Sequence, residues 1–228
     1  MRNRLLACTR FDWSRISPAV FGALFQAVME PRERRQIGAH YTSERDILKV
    51  IGPLFLDELK EDLTKAGNDR RKLQVLHERM GKMKLLDPAC GCGNFLVISY
   101  RELRLLELEI LKRLFKRSET QKLTDIATIL RLDVDQMYGI EIEEWPARIA
   151  EVAMWLMDHQ MNQLVGEEFG EYLVRLPLKK SPHIVPGNAL RIDWNEVLTA
   201  TDCTHVLGNP PFVGSKYQSA EQRKELSD

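Results

Sequence analysis

The sequence lacks a net charge, a set of cysteines suited to a disulfide framework, and any long apolar run. Its 228 residues include 33 Lys and Arg and 33 Asp and Glu, so total charge gives no support for a free-standing nucleic-acid-binding domain, although an enzyme can confine a DNA surface to one cleft. Two of the 4 cysteines, Cys90 and Cys92, flank a single glycine. No segment could cross a bilayer, and the N-terminus lacks the apolar core of a signal peptide. We therefore expect a cytoplasmic protein without membrane contacts.

Short strands alternate with helices along the chain. Strands are predicted at residues 83–87, 137–142, 183–185 and 204–207. Helices are predicted at residues 20–28, 44–65, 72–80, 95–115, 119–132, 146–163 and 193–198. This alternation is typical of an α/β fold with a parallel, doubly wound sheet. Open sheets of this class normally contain more strands, so we expect the chain to be the front part of a longer protein.

Apolar spacing predicts which face of two helices is buried. In the helix at 44–65, Ser43 provides the N-cap, and the expected stripe comprises Ile47, Ile51, Leu54 and Phe55. In the helix at 146–163, the expected buried residues are Ile149, Val152, Ala153, Leu156 and Met157.

A rigid polar and aromatic stretch follows the last predicted strand. Asn209 precedes Pro210 and Pro211, which fix φ at two positions and force Asn209 towards an extended backbone. Phe212 adds an aromatic face. A carboxamide, a preset carbonyl and an aromatic ring at the carboxyl end of a strand suit a planar substrate with an NH₂ group. The alternative is a stiff turn without chemistry.

A glycine-rich turn follows the first predicted strand. Gly91 and Gly93 let the backbone approach a ligand, and the next helix can hold an anionic group such as a carboxylate at its N-terminus. Asp87 supplies an anion suited to an ammonium group. Phe95 stands where dinucleotide-binding turns carry a third glycine, which argues against a dinucleotide. Cys90-Gly-Cys92 has no second ligand pair, so we interpret both cysteines as small residues in a tight turn, without a metal.

Polar residues also follow the second and third predicted strands. Glu141 stands where an acidic side chain accepts hydrogen bonds from ribose hydroxyls, and we prefer it to Glu143, which shares its face of the strand. Its offset from Gly93, 141 − 93 = 48 residues, exceeds the usual spacing of about 20 because of the additional helix. Asn188 suits a base edge, but Pro-Gly-Asn is also an ordinary turn.

The motifs GAHYT, DPACGCGNF, YGIEI, GNAL and GNPPF, in this order, resemble those of AdoMet-dependent DNA amino-methyltransferases that modify adenine. Their order resembles the gamma class, and FGALFQ with RRQIGAHYTSE is similar to the MmeI-like methylases of fused type II restriction–modification enzymes. The resemblance extends from about Trp13 to Phe212. It implies a Rossmann-like methyltransferase core at residues 71–228, incomplete at its C-terminus, after an N-terminal helical region at residues 1–70 that carries the first AdoMet motif.

The resemblance implies cofactor contacts by position. Tyr41 and Thr42, with His40 nearby, would contact the methionine moiety of AdoMet, and Glu141 would bind its ribose. Asn188 and Ala189 would lie by the adenine ring, although many relatives carry Asp where Asn188 stands. The remaining implied cofactor-binding residues are Asp87, Pro88, Ala89, Gly91, Gly93, Asn94, Phe95 and Ile142.

The resemblance also implies the substrate. The Asn209 side-chain oxygen and the Pro210 carbonyl would accept hydrogen bonds from the two N–H groups of the exocyclic amine of an adenine rotated out of double-stranded DNA. Phe212 would stack on that base. A target-recognition domain is expected C-terminal to this chain. Whether the full protein also contains an endonuclease domain is left open by the sequence. The alternatives are the cytosine amino group, a protein glutamine amide, and an AdoMet-binding fragment that is inactive alone.

Overall fold

The computed structural model describes residues 42–115, 129–170 and 180–211, together with Val20 and Arg223. The helix predicted at 20–28 lies outside the described residues apart from Val20, and so does most of the helix predicted at 119–132. Within the described part of the chain, no helix combines the length and the apolar character that a membrane crossing requires.

The four strands form one parallel sheet. They are β1 (Leu85–Asp87), β2 (Met137–Glu141), β3 (His183–Pro186) and β4 (His205–Val206), in the order β3-β2-β1-β4. Every neighbouring pair is parallel. The chain therefore moves outwards from β1 to β3 and then returns to the other side of β1. This reversal confirms the doubly wound sheet and puts its switch point between β1 and β4, the position at which open sheets of this class bind ligands.

Helices precede the sheet and connect its strands. They are α1 (Glu44–Ile51), α2 (Asp57–Ala66), α3 (Arg70–Met80), α4 (Asn94–Leu114), α5 (Glu144–Phe169) and α6 (Trp194–Val197). A single hydrophobic cluster includes Ile47 of α1, Leu85 of β1 and Met137 of β2. The described helices before residue 70 therefore pack into the same core as the sheet, and the domain boundary near residue 70 stays a prediction.

The helix predicted at 44–65 contains a π-helical segment, Gly52–Leu56, between α1 and α2. The N–H of Asp57 donates to the carbonyl of Gly52, five residues back, which widens the turn. The predicted stripe is consequently wrong at one position: Leu54 is exposed, and Leu56 is buried beside Phe55. The Ser43 N-cap is confirmed, since Ser43 Oγ accepts a 3.3 Å hydrogen bond from the N–H of Asp46.

The predicted buried face of α5 is partly wrong. Ala153 and Met157 are buried as expected, but Val152 is 54% exposed, and Ile149 and Leu156 are only half-buried. The buried residues of α5 include Ala147, Ala150, Ala153, Met154, Met157, Met161 and Val165. Two adjacent faces of this helix are apolar, so periodicity alone does not determine which one meets the core. The small alanines and flexible methionines allow the close approach.

A buried polar network joins α4 to α5, and α4 carries the glycine-rich turn at its N-terminus. Arg104 donates from Nη1 to Asp158 Oδ1 over 2.8 Å and from Nη2 to Asn162 Oδ1 over 2.8 Å. His77 Nε2 lies 2.7 Å from Glu107 Oε1 and adds α3 to the network. Burial raises the pKa of Glu107, but the His77 hydrogen bond and the Arg104 charge outweigh it, and the net shift is downward. Sequence patterns did not indicate this network.

Candidate functional site

Polar residues from all four strand ends meet along one edge of the sheet. Asp87 ends β1 and Glu141 ends β2, whereas Asn188 and Asn209 stand shortly after β3 and β4. Because the strands are parallel, their carboxyl ends lie at the same edge, where open α/β sheets bind ligands. The structure thus assembles residues that are up to 122 positions apart, 209 − 87, into one candidate site.

The glycine-rich turn has a conformation that favours glycine at two positions. Gly91 and Gly93 have φ values of 55° and 82°. A Cβ at Gly93 would lie 2.9 Å from the Cβ of Ala150, so this glycine also allows α5 to approach. A Cβ at Gly91 would meet nothing within 4 Å. Gly91 therefore faces open space, as a backbone that approaches a ligand would.

Glu141 ties β2 to this turn. Its Oε2 accepts a 2.8 Å hydrogen bond from the N–H of Gly91, and its Oε1 accepts a 3.1 Å bond from the N–H of Glu143. Burial raises the pKa of Glu141, while these N–H groups act in the opposite direction. Glu143 is exposed. Each carboxylate oxygen can accept a further bond, so Glu141 retains capacity for ligand hydroxyls.

Asp87 ends β1 and is buried, with 1% of its surface exposed. Burial raises the pKa of its carboxyl to about 7, the N–H of Ala89 opposes the shift, and the charge of Glu141 adds to it. Gly208, shortly after β4, has a φ of 148°, and a Cβ there would overlap the Asp87 carboxylate and lie 3.0 Å from its Cγ. Gly208 was not among the predicted site residues, although its position in GNPPF was a signal.

Asn209 contacts a segment from the start of the described chain. Its side-chain Nδ2 donates a 3.1 Å hydrogen bond to Thr42 Oγ1. Asn209, Pro210 and Pro211 are exposed, and Thr42 is half-buried. The structure therefore brings Thr42, the last residue of GAHYT, into contact with Asn209 of GNPPF. His40, Tyr41 and Phe212 lie outside the described residues.

The residues after β3 form a compact turn. Asn188 Oδ1 accepts a 2.9 Å hydrogen bond from the N–H of Leu190, and the carbonyl of Ala189 accepts a 2.8 Å bond from the indole N–H of Trp194. The Asn188 side chain thus stabilises an Asx-type turn. Its contact with a base stays a prediction.

The other predicted residues occupy distinct environments. Pro88 and Ala89 are half-buried. Asn94 Oδ1 is buried and has no hydrogen-bond partner among the described residues, so it is an acceptor suited to a ligand donor. Phe95 is 5% exposed and belongs to the core, which leaves its backbone rather than its ring for the site. Ile142 is 58% exposed beside Glu141 and offers an apolar surface.

Cys90 and Cys92 are buried packing residues of the turn. A Cβ at Gly139 of β2 would lie 2.8 Å from Cys90 Sγ, which shows how closely the turn packs against the sheet. Burial raises the pKa of Cys90 and raises that of Cys92 to about 12, so both are thiols at neutral pH.

Comparisons with known proteins agree on one family. The profile of the family described as MmeI, DNA-methyltransferase domain, matches residues 63–228. The chain is 40% identical to DNA methyltransferase A of Bacillus subtilis (strain 168) over 229 aligned residues, which cover 99% of this chain and 26% of that protein. It is 55% identical to the solved type IIL restriction–modification enzyme MmeI in complex with DNA, with a TM-score of 0.91 over 99% of this chain and 30% of that one. The chain thus spans less than a third of either relative.

Proposed function

This chain belongs to the MmeI DNA-methyltransferase family, and we propose that it is the methyl-transferring part of a site-specific DNA adenine methyltransferase. The methyl donor would be AdoMet, and the acceptor would be the exocyclic amine of an adenine in double-stranded DNA. The enzyme would act within a restriction–modification system, as the description of MmeI as a type IIL restriction–modification enzyme suggests for that longer protein.

The residues at the sheet edge fit AdoMet. Asp87 and the unpartnered Asn94 Oδ1 suit the ammonium group of its methionine moiety. The N-terminus of α4 suits the carboxylate, because the first N–H groups of a helix have no intrahelical acceptor. Glu141 suits the ribose hydroxyls, and the open space beside Gly91 leaves room for a ligand. The exposed Ile142 would pack beside the bound nucleoside, with Asn188 and Ala189 near its base.

When bound, AdoMet supplies a methyl group made electrophilic by the adjacent sulfonium. The protein then has to position an amine, since no described residue is required to act as a covalent nucleophile. An aromatic amine is weakly nucleophilic because its lone pair is delocalised into the ring. Asn209 Oδ1 and the Pro210 carbonyl would each accept a hydrogen bond from one N–H group of this amine. These two hydrogen bonds favour a pyramidal nitrogen and direct its lone pair at the methyl group.

The exposure of the loop after β4 suits a base that has left the duplex. Asn209, Pro210 and Pro211 are exposed, whereas the amine of a stacked adenine is inaccessible. Phe212 would follow them as the platform on which the base stacks. A target-recognition domain outside this chain would select the DNA sequence.

The observation that carries the proposal is the contact between the two halves of the site. Gly208 packs directly on Asp87, and Asn209 bonds Thr42. The loop proposed to hold the amine is therefore adjacent to the pocket proposed to hold the methyl donor, as direct transfer requires.

Labelled AdoMet, mixed-sequence DNA and the full-length protein test the proposal. We expect labelled N6-methyladenine after nucleoside digestion, and its loss in Asn209→Ala. Label in N4-methylcytosine would reassign the base, and label in a glutamine amide of a protein would reassign the substrate class. Adenine methylation that Asn209→Ala leaves unchanged would contradict the role of this loop.

A further inference from the structure

The hydrogen bond between Asn209 and Thr42 raises the question of how the Asn209 carboxamide is oriented. One end of a carboxamide accepts and the other donates, and rotation by half a turn exchanges them. In the structure Nδ2 faces Thr42 Oγ1 at 3.1 Å, which leaves Oδ1 for another partner. The opposite orientation would present an NH₂ group to the NH₂ of the substrate, and two donors cannot pair.

A threonine hydroxyl does not by itself select the orientation, because it has both one donor proton and acceptor lone pairs. In principle it can accept from Nδ2 or donate to Oδ1. The orientation becomes unique when the hydroxyl proton is engaged elsewhere, since the oxygen can then only accept. An anionic group beside Thr42 would have this effect, and charge-assisted hydrogen bonds to carboxylates are among the stronger ones.

We propose that Thr42 is a positioning residue that couples the presence of the methyl donor to the orientation of Asn209. This inference rests on the proposed function and on the contact between Thr42 and the methionine moiety of AdoMet that the resemblance implies. The Thr42 hydroxyl donates its proton to the carboxylate of AdoMet and accepts from Asn209 Nδ2, which directs Oδ1 to the amine of the base. Without AdoMet the carboxamide samples both orientations. The amine-binding loop therefore becomes competent only when a methyl donor is present.

Binding measurements test this coupling without any methyl transfer. AdoMet is titrated calorimetrically into the full-length protein, Thr42→Val, Asn209→Ala and the double variant. When Asn209 Nδ2 donates to Thr42 Oγ1, the hydrogen bond that the Thr42 hydroxyl donates to the AdoMet carboxylate becomes stronger. Asn209→Ala should therefore weaken AdoMet binding by about three- to tenfold when Thr42 is present and leave it unchanged in Thr42→Val. An Asn209→Ala effect of equal size in both backgrounds, including no effect, would overturn the coupling.

Steady-state kinetics separates positioning from simple cofactor contact. At saturating AdoMet, Thr42→Val should still lower kcat by about ten- to a hundredfold, and Thr42→Ser, which keeps the hydroxyl, should restore it. A raised KM for AdoMet with an unchanged kcat would make Thr42 a cofactor contact only. If the wild type transfers no methyl group, the proposed function fails, and the binding cycle still judges Thr42. Thr42→Ala replaces Thr42→Val if that variant does not fold.

Discussion

The N–H of Gly91 donates a 2.8 Å hydrogen bond to Glu141 Oε2, which joins the turn after β1 to the end of β2. The same carboxylate that would bind the ribose of AdoMet therefore also fixes the turn that would hold its methionine moiety. Glu143 stands two residues later at an exposed position, and within the part of the chain that the structure describes its side chain makes no comparable contact with the turn.

Glu141→Ala should weaken AdoMet binding far more than Glu143→Ala. The first substitution removes an acceptor for the Gly91 N–H and for the ribose, and a hydrogen bond to a charged group contributes about 1.5–3 kcal/mol. We expect a loss of affinity of at least about tenfold for Glu141→Ala and less than about twofold for Glu143→Ala. Calorimetric titration of both variants measures the difference, and equal losses would contradict the preference for Glu141.

Asp87 should make the cofactor-free protein less stable as pH rises towards neutrality. Its pKa is about 7 in the folded protein and near its usual value of 3.8 when unfolded. Between these values the folded state binds the extra proton, so this contribution is fully present below about pH 3.8 and is lost as pH rises through about 7. The melting temperature of Asp87→Asn minus that of the wild type should therefore increase from about pH 5 to about pH 7.5. A constant difference would refute the shift.

AdoMet binding should show the opposite pH dependence. The ammonium group of AdoMet favours the ionised form of Asp87. Below about pH 7 the Asp87 carboxyl is protonated, and it must lose this proton before it can pair with the ammonium group. The dissociation constant should rise by up to about tenfold per pH unit below pH 7. Titrations of the wild type and Asp87→Asn at matched pH values measure this, and the variant should lack the slope. The same slope in both proteins would assign it to another group.

Arg104→Met should open the α4–α5 interface. The substitution leaves Asp158 and Glu107 buried beside an uncharged side chain, and breaking a buried ion pair costs about 3–5 kcal/mol. Lys49→Met is the matched control, because the Lys49–Asp46 pair is solvent-exposed and water screens its charges. Hydrogen exchange of peptides from α4 and α5 reports the local opening. Similar protection in the two variants would show that the network contributes little.

Gly93→Ala should be more destabilising than Gly91→Ala. Both place a side chain at positive φ, which costs about 1–2 kcal/mol, but only the Cβ at position 93 would lie 2.9 Å from the Cβ of Ala150. Overpacking adds about 1–3 kcal/mol. Hydrogen exchange at the start of α4 measures both variants, and Ala150→Gly should cost less in the Gly93→Ala background than alone. Additive effects would show that the two positions do not touch.

Local chemistry explains why the two turns of the candidate site could be predicted from the sequence. Gly91, Gly93 and the pair Pro210–Pro211 act through their own backbone dihedrals, so the turns after β1 and β4 were identifiable without tertiary information. The predictions for α5 and for Leu54 were less successful because they concern which apolar face is buried. That choice depends on neighbouring elements, and a π-helical segment shifts it.

The sequence by itself determined the alternation of strands and helices, the parallel sheet and a polar residue at the end of each strand. Only the tertiary structure decided which of these residues meet. Thr42 and Asn209 are 167 positions apart, and no periodicity or propensity relates them. Their contact, like that of Asp87 with Gly208, follows from strand order and helix packing. These are set by the burial of apolar surface between distant segments, which local dihedral preferences do not encode.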